Sequence, residues 1–190
     1  MEDDTTDLPG LIGRRVAERR AALGLNLDQV AERTGVSRAM VSRIERGEVH
    51  ASAVVLDRLC SGLGLTLSAL FARDEAAPVS RRADQPVWTD PESGYVRRAV
   101  SPGGSEAPFR IVHVDFPPGR TVTLGSSGAK PFVQEIWVLA GEMEIGLPTG
   151  RHRLAAGDCL ACSPSRGISF FNPGPDWARY AVILTTESAP

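Results

Sequence analysis

Arg38 and Arg43 flank Ala39, Met40 and Ser42 in a segment that Ser37 opens and Gly47 closes. Small and polar side chains interleaved with arginine suit a helix that enters a DNA major groove. The small ones permit close approach, and guanidinium groups can meet guanine edges or phosphates. Gln29, at the start of the segment before it, is placed to donate to a backbone phosphate, where helix amides and the helix dipole also favour an anion. Gln29, Ser37, Arg38, Ala39, Met40, Ser42 and Arg43 are therefore the candidate DNA-contacting set.

Other chemistry-bearing residues are sparse. Cys159 and Cys162 have the CxxC form, but they fall in a strand-like stretch, where residues three apart point to opposite faces, and no second ligand pair exists in the sequence. They read as residues of a buried strand. Three cysteines are too few and too unevenly placed for a disulfide framework. His50, His113 and His152 are scattered and read as surface or packing residues. The chain contains no phosphate-binding GxxxxGK[ST], no GxSxG and no HExxH.

The elements that must position the arginines follow from periodicity. Up to about position 75, apolar residues recur at helical spacing: Leu11, Ile12, Val16 and Leu23, then Leu27, Val30 and Ala31, then Met40, Val41 and Ile44, then Val54, Val55, Leu59 and Leu63, then Leu67, Leu70 and Phe71. This predicts five short helices. Asn26 with Gln29 three positions on forms a capping-box pattern, so a helix should run over 27–34, with Gly35 ending it. Ser37 then caps a helix over 38–46. Two helices joined by so short a turn cross steeply, and the second can project. Val41 and Ile44 should face inward.

Beyond position 75, runs rich in Val, Ile, Phe and Trp alternate with Gly and Pro clusters: 109–116, 134–139, 142–147, 158–163, 168–171 and 179–185. Many short strands with close turns predict a sandwich or barrel. The predicted organisation is an acidic tail over 1–7, a helical domain over 8–72, a linker over 73–93 that settles onto the second domain near Trp88, and a β domain over 94–190.

Net charge is −2, so the whole molecule is not the strongly basic kind that announces nucleic-acid binding by itself. Its distribution is more telling: residues 8–71 hold nine arginines against six acidic residues, while the first seven residues hold four acids. No apolar run approaches the roughly 20 residues that cross a bilayer, and the N-terminus is acidic where a secretory signal would be basic. A cytoplasmic location with no membrane partner is expected.

The stretch LDQVAERTGVSRAMVSRIERG over 27–47, followed by LTLSALF over 65–71, resembles the helix-turn-helix of the XRE (lambda-repressor-like) family. The resemblance covers about a third of the chain. It implies a five-helix DNA-binding domain with 38–43 as the recognition face and Gln29 on the DNA backbone. In the second half, QEIWVLAGEMEI over 134–145 resembles the first cupin motif, and GDCLACSP over 157–164 through Asn172 and Gly174 resembles the second. This implies a double-stranded β-helix, or jelly-roll, barrel.

Metal-dependent cupins use two closely spaced histidines and a glutamate from the first motif and a histidine from the second. Aligned on Gly141, the glutamate position holds Gln134, with Glu135 beside it; the histidine pair falls in GSSGAKPFV over 125–133; and the second-motif histidine falls at Ile168 or Ser169. The expectation is therefore no metal and no cofactor. A barrel without an ion still offers an interior for one small molecule. Candidates near the former metal positions are Gln134, Trp137, Ser163, Ser169 and Phe171, with Arg120 and Lys130 on approaching loops.

Together these readings imply a sequence-specific transcriptional regulator, not an enzyme, that binds a palindromic double-stranded operator as a homodimer and whose cupin-like domain binds a small-molecule effector, serves dimerisation, or both. The alternative is a cupin metalloenzyme of the oxygenase or epoxidase type carrying a helix-turn-helix domain, which requires the ligands this sequence lacks. A constitutive repressor or antitoxin-like protein is a third reading.

Overall fold

The computed structural model describes residues 8–72, 77–125, 133–163 and 167–185. Five helices come first: α1 (Leu8–Ala22), α2 (Leu27–Thr34), α3 (Arg38–Glu45), α4 (Ala53–Leu63) and α5 (Leu67–Phe71). Local signals set their limits. Asn26 and Gln29 form the reciprocal capping box of α2, and Gly35, at φ 66°, ends it in the left-handed region that side chains disfavour. The Ser37 side chain accepts from the Met40 amide at the start of α3.

Val16, Val30, Val41, Ile44, Leu56, Leu59 and Leu70 form the centre of this bundle, each almost fully removed from water. Helix α1 rests directly on the end of α3. A Cβ on Gly13 would lie 2.3 Å from the Ile44 carbonyl oxygen, so only glycine permits that approach. The Arg20 guanidinium grips Glu45 with two hydrogen bonds, of 2.7 and 2.9 Å, fixing the C-terminal end of α3.

A short 3-10 turn (Arg82–Asp84) leads to ten strands: β1 (Val87–Thr89), β2 (Val96–Ala99), β3 (Phe109–Phe116), β4 (Thr121–Leu124), β5 (Gln134–Ala140), β6 (Glu142–Leu147), β7 (Gly150–Ala155), β8 (Cys159–Cys162), β9 (Ile168–Phe171) and β10 (Ala178–Thr185). One antiparallel sheet has the order β1-β2-β3-β10-β5-β8 and the other β4-β9-β6-β7, a jelly-roll cupin barrel. The sheet begins at Val87, inside the stretch expected to be linker, because β1 pairs with β2 and buries Trp88. Strands β1, β2, β4 and β7 were not predicted as separate elements.

The cysteine reading needs correction. β8 is a strand, with Cys159 and Cys162 on opposite faces, but it is the edge of its sheet, and Cys159 is exposed rather than buried.

The two halves share one core. Phe71 of α5 meets Trp88, which meets Tyr95, then Phe116, Tyr180 and Phe170, with ring centroids between 5.5 and 6.3 Å apart at each step. Polar contacts also cross the boundary. Ser52, the N-cap residue of α4, makes no side-chain cap bond; the Asp90 carboxylate of the barrel side instead accepts from the Ala53 amide at 2.9 Å. Asp57 of α4 accepts from the Gly125 amide at the end of β4, at 2.7 Å.

Candidate nucleic-acid interface and barrel cavity

Helix α3 buries Val41 and Ile44 and turns Arg38, Ala39 and Arg43 to solvent. With Leu27, Ser42 and Arg46 they line one concave surface, so four of the seven candidate residues share one patch. Arg38 meets Asp28 at 3.3 Å, but both side chains are mostly exposed, so the pair is weak and a phosphate can replace the carboxylate. Arg46 pairs with Glu48 and donates to the Ser42 hydroxyl. The Arg43 guanidinium makes no hydrogen bond or ion pair among the described residues, while the Arg43 carbonyl accepts from the Glu48 amide at 3.0 Å.

Ser37 is exposed, but its hydroxyl oxygen accepts the Met40 amide. Gln29 uses Oε1 to accept from the Asn26 amide, which leaves its NH2 group facing outward at the start of α2. Met40 differs from expectation: it is half-buried and packs against the core, because one turn of α3 carries it toward the bundle. Arg46 was not among the sequence candidates. Its place after Arg38 and Ser42, at intervals of four, was the available signal.

The barrel encloses a cavity of about 80 Å³. Val122 and Leu124 of β4, Gln134 of β5, Ile168 and Phe170 of β9, and Tyr180, Val182 and Leu184 of β10 supply its walls. Its roof comes from the helical domain: Asp57 and Cys60 of α4, Leu65 and Thr66 of the turn, and Leu67 and Ser68 of α5. Arg97 of β2 also faces it, since the register opposes Arg97 to Val114, an inward residue of β3. The Arg97 guanidinium donates to Ser68 Oγ at 2.8 Å and lies 5.7 Å from the centre of the Phe71 ring. Burial lowers its pKa from the ordinary arginine value, and burial raises those of Cys60, Tyr95 and Tyr180, keeping all three neutral.

Of the barrel candidates, only Gln134 faces this cavity; its Nε2 contacts Cys162 Sγ at 3.7 Å. Trp137 is 47% exposed on the outer face, because alternation along β5 buries Gln134, Ile136 and Val138 instead. Ser169 and Phe171 likewise point away, with Ile168 and Phe170 inside. Ser163 and Arg120 are exposed and do not line the cavity, and Lys130 lies outside the described residues. The Glu135 alternative is settled by register: Glu135 is exposed and Gln134 buried.

Sequence reading missed Arg97 altogether. Hydropathy pointed the wrong way, since alternation puts Val96 with Arg98 on the outer face and Arg97 on the inner one.

The cavity residues do not fit a catalytic transition metal. Among the described lining residues Asp57 is the only carboxylate, none is an imidazole, and the Arg97 charge opposes a cation. Nor does the sequence over 125–133 contain His, Cys, Asp or Glu. His113 pairs with Asp115 at 3.5 Å on the outer side of β3 and takes no part.

An arginine-bearing helix exposed on a five-helix bundle, backed by a jelly-roll barrel, is the architecture of a helix-turn-helix module joined to a β barrel. A helix-turn-helix domain family matches residues 11–71. The HTH-type transcriptional regulator PuuR of Escherichia coli (strain K12) is 27% identical over 165 residues, 84% of this chain and 86% of that protein. The HTH-type transcriptional regulator SutR of the same organism is 22% identical over 139 residues, covering 73% and 74%. The crystal structure of an HTH_3 family transcriptional regulator from Vibrio cholerae matches with a TM-score of 0.75 at 23% identity, over 96% of this chain and 100% of that one, which shows a shared fold. Over most of its length the chain is thus similar to HTH-type transcriptional regulators, with the helix-turn-helix family match confined to residues 11–71.

Proposed function

We propose that the chain binds a palindromic operator in double-stranded DNA as a homodimer, that its recognition surface is α3 with Gln29 of α2, and that its barrel binds a small effector instead of catalysing a reaction. The observation that carries the DNA reading is the concave patch of Arg38, Ala39, Ser42 and Arg43. In it, the Arg43 guanidinium has no hydrogen-bond or ion-pair partner among the described residues and that of Arg38 only an exchangeable one. A single recognition helix reads few base pairs, so pairing over two half-sites about one helical turn apart supplies the rest. The effector reading is supported by the cavity, which the DNA-binding half helps to enclose. A cytoplasmic location follows from the same reading, since the target is DNA.

The test is operator selection from a random duplex library, followed by affinity measurements at several salt concentrations. Arg38→Ala with Arg43→Ala should weaken specific binding by at least about tenfold and flatten the salt dependence. Each guanidinium taken from a base edge removes discrimination, and each taken from a phosphate removes a released counterion. Unchanged affinity and salt slope in the double variant would sink the assignment of α3.

A further inference from the structure

The position of Arg97 narrows the class of effector. The residue belongs to the barrel, borders the 80 Å³ cavity, and also borders a second space of about 130 Å³ toward Ala99 and Ile111. Its only polar partner among the described residues is a neutral hydroxyl, Ser68 Oγ, and no carboxylate among them lies within ion-pair distance. A guanidinium drawn from water without an anion loses hydration that one hydroxyl and one aromatic face replace only in part. Asp57, the acid of the roof, is otherwise engaged: its Oδ2 accepts the Gly125 amide. Tyrosine and aliphatic side chains make up most of the remaining wall.

We propose that this cavity binds a small organic monocarboxylate, its two oxygens on the Arg97 guanidinium and its apolar part against Val122, Ile168 and Phe170. Planar guanidinium matches carboxylate with two parallel hydrogen bonds. The confined space of about 80 Å³ favours a short-chain acid. An inorganic anion would leave the apolar wall without a partner, and an ammonium would meet the Arg97 charge. The ligand would touch α4 and α5 through Cys60 and Ser68 while held by the barrel, so its binding favours one docking of the DNA-binding half over others. This deepens the effector reading above and rests on it for its regulatory meaning, but the binding event can be tested without DNA.

The full-length protein is titrated with acetate, propionate, butyrate and benzoate, and with propionamide, propylamine and inorganic phosphate as comparators. Binding is followed by thermal shift and by tryptophan fluorescence, to which the buried Trp88 contributes from its tilted contact with Phe71 and edge-on contact with Tyr95. At least one carboxylate should raise the melting temperature saturably while its amide does not. Arg97→Met, similar in length and apolar, should keep the fold and lose carboxylate affinity by at least about tenfold, with Arg97→Lys intermediate.

No response to any of the acids, equal binding by the Arg97→Met protein, or preferential binding of propylamine or phosphate would overturn the proposal. Operator affinity of the unliganded protein, measured in parallel, separates the two readings. Intact DNA binding without carboxylate binding defeats this inference alone, whereas carboxylate binding without any DNA binding defeats the regulator reading alone.

Discussion

Asp57 is the residue at which fold stability and the cavity meet. Burial pushes its pKa above the ordinary carboxylate value; the Gly125 amide and the nearby Arg58 act in the opposite direction and do not cancel it. A folded-state pKa raised in this way means the native protein holds a proton that the unfolded chain has released. The resulting stabilisation is complete below the unfolded value of about 4, and is lost as pH rises through the folded value. Asp57→Asn keeps an oxygen for the Gly125 amide and removes the charge. The variant should therefore melt higher than the wild type near neutral pH, and its advantage should grow as pH climbs from below about 4 to about 7. Melting curves of both proteins across that range check this; an advantage that shrinks with rising pH would mean that interactions with the carboxylate outweigh its burial.

At the scale of elements, the boundary between the halves depends on a cap supplied from outside the helix it serves. Helix α4 starts at Ala53 without help from Ser52, whose hydroxyl is buried without a hydrogen-bond partner among the described residues. Asp90 takes the role, binding the Ala53 amide with Oδ1 and the Ser93 amide and hydroxyl with Oδ2 while itself 3% exposed. Asp90→Ala strands these donors in a buried place, which costs about 3 kcal/mol, or roughly 6 to 12 °C in melting temperature for a chain of this size. The destabilisation should fall on the junction, so limited proteolysis should cut between α5 and β2 sooner than in the wild type. A variant with unchanged melting and proteolysis would show that the aromatic contacts alone hold the halves together.

Sequence pattern revealed α2 and α3 with their caps because short-range chemistry, Asn26 with Gln29 and then Gly35 and Ser37, sets those ends. It located β3, β5, β6, β9 and β10 because apolar residues dominate them. It missed β7, where Arg151 and Arg153 pair with Glu144 and Glu142 of β6 on a solvated face, and β2, whose inward arginine breaks the alternation on which such a reading depends. The exposed arginine patch lies mostly on one helix, so a local pattern could point to those residues. The cavity joins residues from α4, α5 and six strands, and no local pattern carries that information.

For the whole molecule, the proposed function requires two copies of α3 to act together. The outer face of the six-stranded sheet carries Trp137 and Leu139, 47% and 39% exposed, beside Ala181 and Ile183 of β10, with Glu135 and Arg179 near them. An exposed aromatic and leucine on one strand face form an apolar surface that water does not favour, and a second copy meeting it about a two-fold axis would bury the tryptophans of both copies together. Charges of both signs at the margin suit a self-complementary contact, since Glu135 of one copy can then approach Arg179 of the other. Trp137→Glu should leave the barrel folded, because the side chain contributes nothing to the interior, yet shift sedimentation from dimer to monomer. Affinity for a palindromic operator should fall steeply while affinity for a single half-site stays the same. If the variant still sediments as a dimer with undiminished palindrome binding, the pairing surface lies elsewhere, and the exposed tryptophan must face a different partner.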